Sequence, residues 1–388
     1  MEYSIPYVIL LLFLEVAAIA AHRYRENYVY DKCITMICLF VLLVFFGFRG
    51  YICDDWTSYV PLYDYCTFEH VNFLFLFEKM DVVGKLEPGF AFLMCVCKAI
   101  SNGDYVFFQF VCSFINLSLI YSFLNRHVKN IPFGLMLFIC FGGYVMMTNL
   151  LRNSISILIA VNAFDLIQKR KPLSYFGCCT LALMFHVSAI LYYPLYFFMH
   201  RKLNRWIWLG IFIICNIIFI LHIGIISQVA SSVLGLDNEV MTSMIASYTE
   251  SYDQAKGISI GYLERVFSGI LVFCLYDRLI EHRNGSPIYT NMFLMYIMLS
   301  FLLSEFAVLA ERIATLVIAS YWIVWHDILK VLTIRNNKLL FASFVSLYCT
   351  FKIIGLTSMI TSEYDNHLFG AKSYQERLSI HNKNSKGQ

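Results

Sequence analysis

The sequence predicts an all-α, polytopic integral membrane protein, and three observations carry that prediction. Of its 388 residues, 59% are hydrophobic and only 14% are charged, against about a quarter charged in ordinary soluble chains. The apolar residues come in continuous blocks rather than amphipathic stripes. The basic residues fall in short clusters between those blocks, the pattern of topology and not of a nucleic-acid face, and the net charge of +3 is too small to imply a nucleic-acid partner.

The first block, 5–21, is followed rather than preceded by cations (His22, Arg23, Arg25, Lys32), the reverse of a secretory signal, so it reads as a retained first helix with its N-terminus outside. Further clear spans are 33–48, 105–124, 131–147, 150–167, 206–222, 262–280, 288–304, 309–329 and 339–360. Two blocks are ambiguous. Residues 88–100 are short, and 173–199 are long with His186 in the middle. All six basic clusters, His22–Lys32, Arg126–Lys129, Lys169–Lys171, Arg201–Arg205, Arg278–Arg283 and Lys330–Lys338, fall inside if 88–100 does not cross and 173–199 is two short helices turning near His186. That arrangement gives about twelve spans, both termini outside, long outer loops at 49–87 and 223–261, one helical domain over 1–360 and a polar, partly disordered tail over 361–388. Most of the 13 cysteines lie in apolar blocks and behave as small hydrophobes; Cys53 and Cys66, in the first outer loop, are the pair able to bond in an oxidising compartment.

This topology gathers the ionisable residues of the helix ends on the outer side. Such groups are costly in a membrane and are candidates for function. Arg49 closes the second helix, Arg152 interrupts the apolar "NLLRNSISI", and Arg312 sits in "LAERIATL". A guanidinium fork matches phosphate oxygens, so several together suit a diphosphate; snorkelling to the headgroups is the plain alternative. His186 reads as a phosphate donor, a proton acceptor or a satisfied structural histidine. Asp54 and Asp55 read as a general base, a sugar ligand or a solvated loop start. Glu87, before a proline at a helix start, reads as an acid/base or a helix-dipole partner. Trp56, Tyr59 and Glu311 are candidate sugar contacts, although interfacial aromatic belts account for rings of this kind. Walker, HExxH and paired CxxC motifs are absent, and no metal or cofactor is expected.

The order "FRG" (Phe48–Gly50), Asp54 or Asp55, "EPGF" (Glu87–Phe90), "LLRNSISI" around Arg152, "QKRKPL" and "ALMFHVSAILYYPL" around His186, with a later "ERIA" from Glu311, resembles the EpsG-like group of Wzy-type polysaccharide polymerases. The resemblance covers residues 33–200 well and the remainder in hydropathy. It implies an all-helical, lipid-donor (GT-C-like) glycosyltransferase in a bacterial inner membrane, acting at its outer face on undecaprenyl-diphosphate-linked donor and acceptor glycans to build O-antigen, capsule or exopolysaccharide. It also implies inversion at the anomeric carbon, Arg49, Arg152 and Arg312 on the diphosphate, and a flippase and a chain-length regulator as accessory partners. A ligase of the same donor class and a lipid-linked-sugar flippase or transporter are the competing readings. The transporter predicts charges spread through the midplane, whereas here they gather on one side.

Overall fold

The computed structural model describes residues 2–73, 86–224, 258–304 and 307–386. Among the described residues every regular element is helical, and β-type pairing is confined to the isolated bridges Arg49–Asn366 and Asn366–Gly370. Among the described residues five helices are long and apolar enough to cross a membrane, beside five shorter apolar ones, where about twelve spans are expected. Most of the expected outer loop at 223–261 lies outside the described residues.

The chain forms two compact units, residues 1–196 with 334–388, and residues 197–333. The first contains α1 (Ile5–Arg23), α2 (Tyr28–Gly47), α3 (Trp56–Tyr65), α4 (Pro88–Ser101), α5 (Tyr105–His127), α6 (Ile131–Phe138), α7 (Tyr144–Thr148), α8 (Leu151–Asn162), α9 (Phe164–Gln168) and α10 (Pro172–Leu183). A 3-10 turn at Val187–Tyr192 leads to α11 (Leu195–Phe198). The second unit holds α12 (Arg205–Ile220), α13 (Ile260–His282), α14 (Ile288–Leu302), α15 (Ala307–Thr315) and α16 (Ala319–Val331). The chain then returns to the first unit with α17 (Arg335–Leu356) and α18 (Tyr374–Lys386).

Hydrogen bonds fix which helix ends share a side of the first unit. At the start of α1, the Tyr7 hydroxyl donates to Ser362 O at 2.8 Å; at the end of α2, Phe45 O and Val44 O accept from the Tyr364 hydroxyl and Asn366 Nδ2 at 3.0 Å each. Gln109 of α5 donates to Arg49 O at 2.6 Å, and Thr148 O at the end of α7 accepts from Arg49 at 3.4 Å. The opposite ends meet elsewhere. Asn130 Nδ2 donates to Ala18 O late in α1 at 2.8 Å, and Arg126 pairs with Asp165 at 2.9 Å. The basic cluster after α5 therefore lies at the helix ends away from Arg49, whereas the start of α1 and residues 361–381 lie at the Arg49 end.

Both ambiguous blocks take the arrangement the clusters favour. The chain enters α4 at Glu87, whose carboxylate meets Val187, and leaves it at Ser101, whose hydroxyl lies 3.4 Å from that of Tyr63, so α4 starts and ends among residues of the Arg49 side. Residues 172–198 are two short helical segments that turn near His186 and run antiparallel: the Tyr175 hydroxyl donates to Tyr192 O at 2.7 Å, and Phe176 stacks on Tyr193. Close approach explains two glycines of the sequence pattern. A Cβ on Gly89 would stand 2.8 Å from Met184 O, and one on Gly50 would stand 1.8 Å from Asp365 Oδ1.

Two expectations need correction. Cys53 and Cys66 do not face each other: Cys53 Sγ lies 3.2 Å from the Tyr144 hydroxyl and Cys66 Sγ lies 3.5 Å from Cys95 Sγ. The polar tail, expected to be partly disordered, is ordered through Lys386 and packs on the loop after α2. Two of its cations pair within it, Arg377 with Asp365 Oδ2 at 2.9 Å and Lys372 with Glu363.

This geometry predicts sidedness. With the exposed Cys33 and Cys274 replaced, cysteines introduced at the exposed Arg126 and Arg170 should react with an impermeant thiol reagent only from the cytoplasm, and one at Tyr65 only from outside. Outside labelling at Arg170 would overturn the arrangement of 88–100 and 172–198.

Candidate active site

Three sequence-predicted residues meet at one end of the first unit. Glu87 precedes Pro88 in an extended conformation and makes no cap bond to its own helix. Its carboxylate instead crosses to two other elements. Oε2 accepts from Arg152 Nη1 at 2.8 Å, and Oε1 accepts from the Val187 N–H at 3.1 Å. Arg152 sits in the first turn of α8, where the helix dipole disfavours a cation, so Glu87 supplies the charge this position lacks. Arg152 Nε donates to the Tyr59 hydroxyl at 3.2 Å. Burial pushes the pKa of that hydroxyl up in spite of the adjacent guanidinium, so Tyr59 keeps its own proton to donate. Arg152 Nη2 has no hydrogen-bond partner among the described residues, and the side chain is 30% exposed.

His186 stands next to Val187 and shares the turn. Its Nδ1 caps the 3-10 turn, accepting from the Ser188 N–H at 3.2 Å with Ser188 Oγ at 2.7 Å, and Ser188 Oγ donates to the buried Asn153 Oδ1 at 3.0 Å. Ser188 Oγ has one hydrogen to share between His186 Nδ1 and Asn153 Oδ1, so the tautomer of His186 follows from which of the two receives it.

The Arg49 and Asp54 segment docks beside this group. Arg49 is 3% exposed, and no carboxylate lies within ion-pair distance among the described residues. Its Nη1 donates to Phe46 O at 2.7 Å and its Nη2 to Thr148 O at 3.4 Å. These are last-turn carbonyls of α2 and α7, so two helix C-termini hold the charge in place of a counter-ion. Burial still pulls its pKa below the ordinary guanidinium value. Asn149 Oδ1 accepts from the backbone N–H groups of Asp54 and Asp55 at 3.1 and 3.4 Å. The Asp54 side chain is 62% exposed and its Oδ1 lies 3.2 Å from His381 Nε2.

The remaining predicted residues are placed differently. Trp56 is buried, its Nε1 donating to Cys53 O at 2.9 Å and its ring in edge contact with Tyr374. Tyr59 is buried with its hydroxyl toward Arg152. Arg312 is exposed on α15 of the second unit, and the Glu311 side chain lies outside the described residues. Sequence reasoning missed Asn149, Asn153, Ser188 and His381. The first three stand within three residues of Arg152 or two of His186, a signal that proximity offered.

A model of the EpsG family matches residues 32–370 of the chain. The chain belongs to the EpsG family. It is thus a membrane protein of a polysaccharide-polymerase-like glycosyltransferase family, and the match spans Arg49, Glu87, Arg152 and His186 but ends before α18. Comparison with curated proteins and with solved structures gives no match.

The Glu87–Arg152 pair generates a stability prediction. Glu87→Ala strands a largely buried guanidinium and should cost about 2–3 kcal/mol, less than a fully buried pair because Arg152 is 30% exposed. The double variant Glu87→Leu/Arg152→Met should lose less than either single change, measured by unfolding of the detergent-purified protein. Additive losses would mean that the two side chains are not coupled.

Proposed function

We propose that this EpsG-family protein polymerises lipid-diphosphate-linked oligosaccharide units at the outer face of the bacterial inner membrane, with undecaprenyl diphosphate as the lipid carrier and a fold related to the lipid-donor glycosyltransferases. The observation that carries the proposal is the Arg152 guanidinium, held along one edge by Glu87 and Tyr59 and keeping Nη2 for a ligand. In the reaction, the oxygen of an acceptor sugar hydroxyl bonds to the anomeric carbon of the donor. The carbon–oxygen bond to the diphosphate breaks, and the lipid diphosphate leaves with the electron pair. The acceptor proton passes to Asp54 or Asp55. Attack opposite the leaving group inverts the anomeric centre.

Each residue takes a role its surroundings support. Arg152 stabilises the negative charge that grows on the leaving diphosphate, as a preorganised donor does at a low-dielectric edge without a metal or cofactor, and His186 is the second candidate on that side. Glu87 fixes Arg152 rather than moving protons, since both its oxygens are committed. Arg49 holds the loop that carries the aspartates and acts through that loop. Arg312 is the candidate cation of the second unit.

Purified protein in lipid nanodiscs, supplied with one lipid-linked repeat unit and no other acceptor, should produce a ladder of longer glycans; a ligase would need a different acceptor, and a transporter would leave the units unchanged. Arg152→Lys keeps charge but loses the fork, and should lower the rate about 100-fold or more at normal protein level. Asp54→Asn and Asp55→Asn should differ widely, the base variant losing on the order of 10²-fold to 10⁴-fold in turnover. A fully active Arg152→Lys variant would remove Arg152 from the diphosphate.

A further inference from the structure

The family match ends at residue 370, and α18 follows it, seated beside Asp54. A polar 13-residue helix of sequence YQERLSIHNKNSK is marginal on its own, so docking is what orders it. Its start is fixed by a Ser373–Glu376 capping box, with the Ser373 N–H and hydroxyl on Glu376 Oε2 at 2.7 and 2.8 Å. Its body is fixed by Arg377, which is 2% exposed and donates to Glu363 O at 2.7 Å. Tyr374, Arg377 and His381 stand at i, i+3 and i+7, one face of the helix. Along that face Tyr374 meets Tyr51 and Trp56 edge-on at 5.6 and 5.5 Å, and His381 reaches Asp54 at 3.2 Å.

We infer that His381 is a positioning residue for Asp54, so that the C-terminal helix completes the proton-accepting side of the site in this chain. The inference rests on the proposal that Asp54 receives the acceptor proton. His381 Nδ1 is buried without a hydrogen-bond partner among the described residues, whereas Nε2 faces the carboxylate. A neutral ring with its proton on Nε2 suits that arrangement, because imidazolium would bury an unpaired N–H. With Asp54 62% exposed, such a contact adds little to stability. Its effect is on geometry: Asn149 fixes the Asp54 backbone, and His381 fixes which way the carboxylate turns.

The test uses the nanodisc assay with one lipid-linked repeat unit. His381→Ala should lower kcat about 10-fold with KM within about twofold, the split expected when a base is misplaced and binding is not. His381→Gln, which retains an N–H donor, should recover most of the loss. On an Asp54→Asn background, His381→Ala should have no further effect. Unchanged kcat in His381→Ala, or an equal fold-loss on both backgrounds, would overturn the inference while the wild-type ladder keeps the polymerase reading. A wild-type protein that makes no ladder would overturn both. Cysteines at Asp54 and His381 that fail to cross-link under mild oxidation would sink the inference independently of activity.

Discussion

The arrangement of the first unit depends on the carboxylate of Glu87, which meets the guanidinium of Arg152 and the backbone of Val187 at once. One side chain thereby joins the start of α4, the start of α8 and the turn after His186, and Tyr59 adds α3 through the same guanidinium. Burying a carboxylate costs several kcal/mol that its partners roughly return, so an ion pair of this kind specifies an arrangement more than it stabilises one. Here it specifies that four segments, far apart in sequence, present a cation and a histidine at the same end of the first unit.

Arg49 solves a related problem by other means. A fully desolvated cation needs compensation, and two helix ends provide it with carbonyls that the helices leave unpaired. The arginine therefore splices the end of α2 to the end of α7, and Asn149, one residue beyond, carries the splice on to Asp54 and Asp55. The tail adds a third layer, Asn366 bridging to Arg49 and Tyr364 stacking on Phe45 with centroids 4.1 Å apart. A Cβ at Gly50 would force the Asp365 carboxylate to turn aside.

The stability, turnover and labelling experiments probe residues that differ in how far the sequence revealed them. Glu87, Arg152 and His186 were legible because a charge or a lone histidine in an apolar run has few cheap explanations. Their roles were not. A helix-start carboxylate reads as a partner of its own helix dipole, and only the fold turns Glu87 toward another helix. Three arginines on one side read as one phosphate site; the structure buries Arg49 on carbonyls and leaves Arg152 half-committed.

By itself the sequence determined that the chain is helical and membrane-embedded, and its basic clusters favoured an arrangement in which residues 88–100 do not cross and 173–199 turn back at His186. Hydropathy and the placement of lysine and arginine are local quantities that the bilayer reads directly. Tertiary structure alone decided which polar groups pair. Asn149 with the two aspartates, Asn153 with Ser188, Cys66 with Cys95 and the tail histidine with Asp54 are contacts between segments 29 to 327 residues apart. No spacing encodes them, because each arises from where two separately stable helices happen to be packed, and a polar group removed from water takes whichever partner that packing brings within about 3 Å.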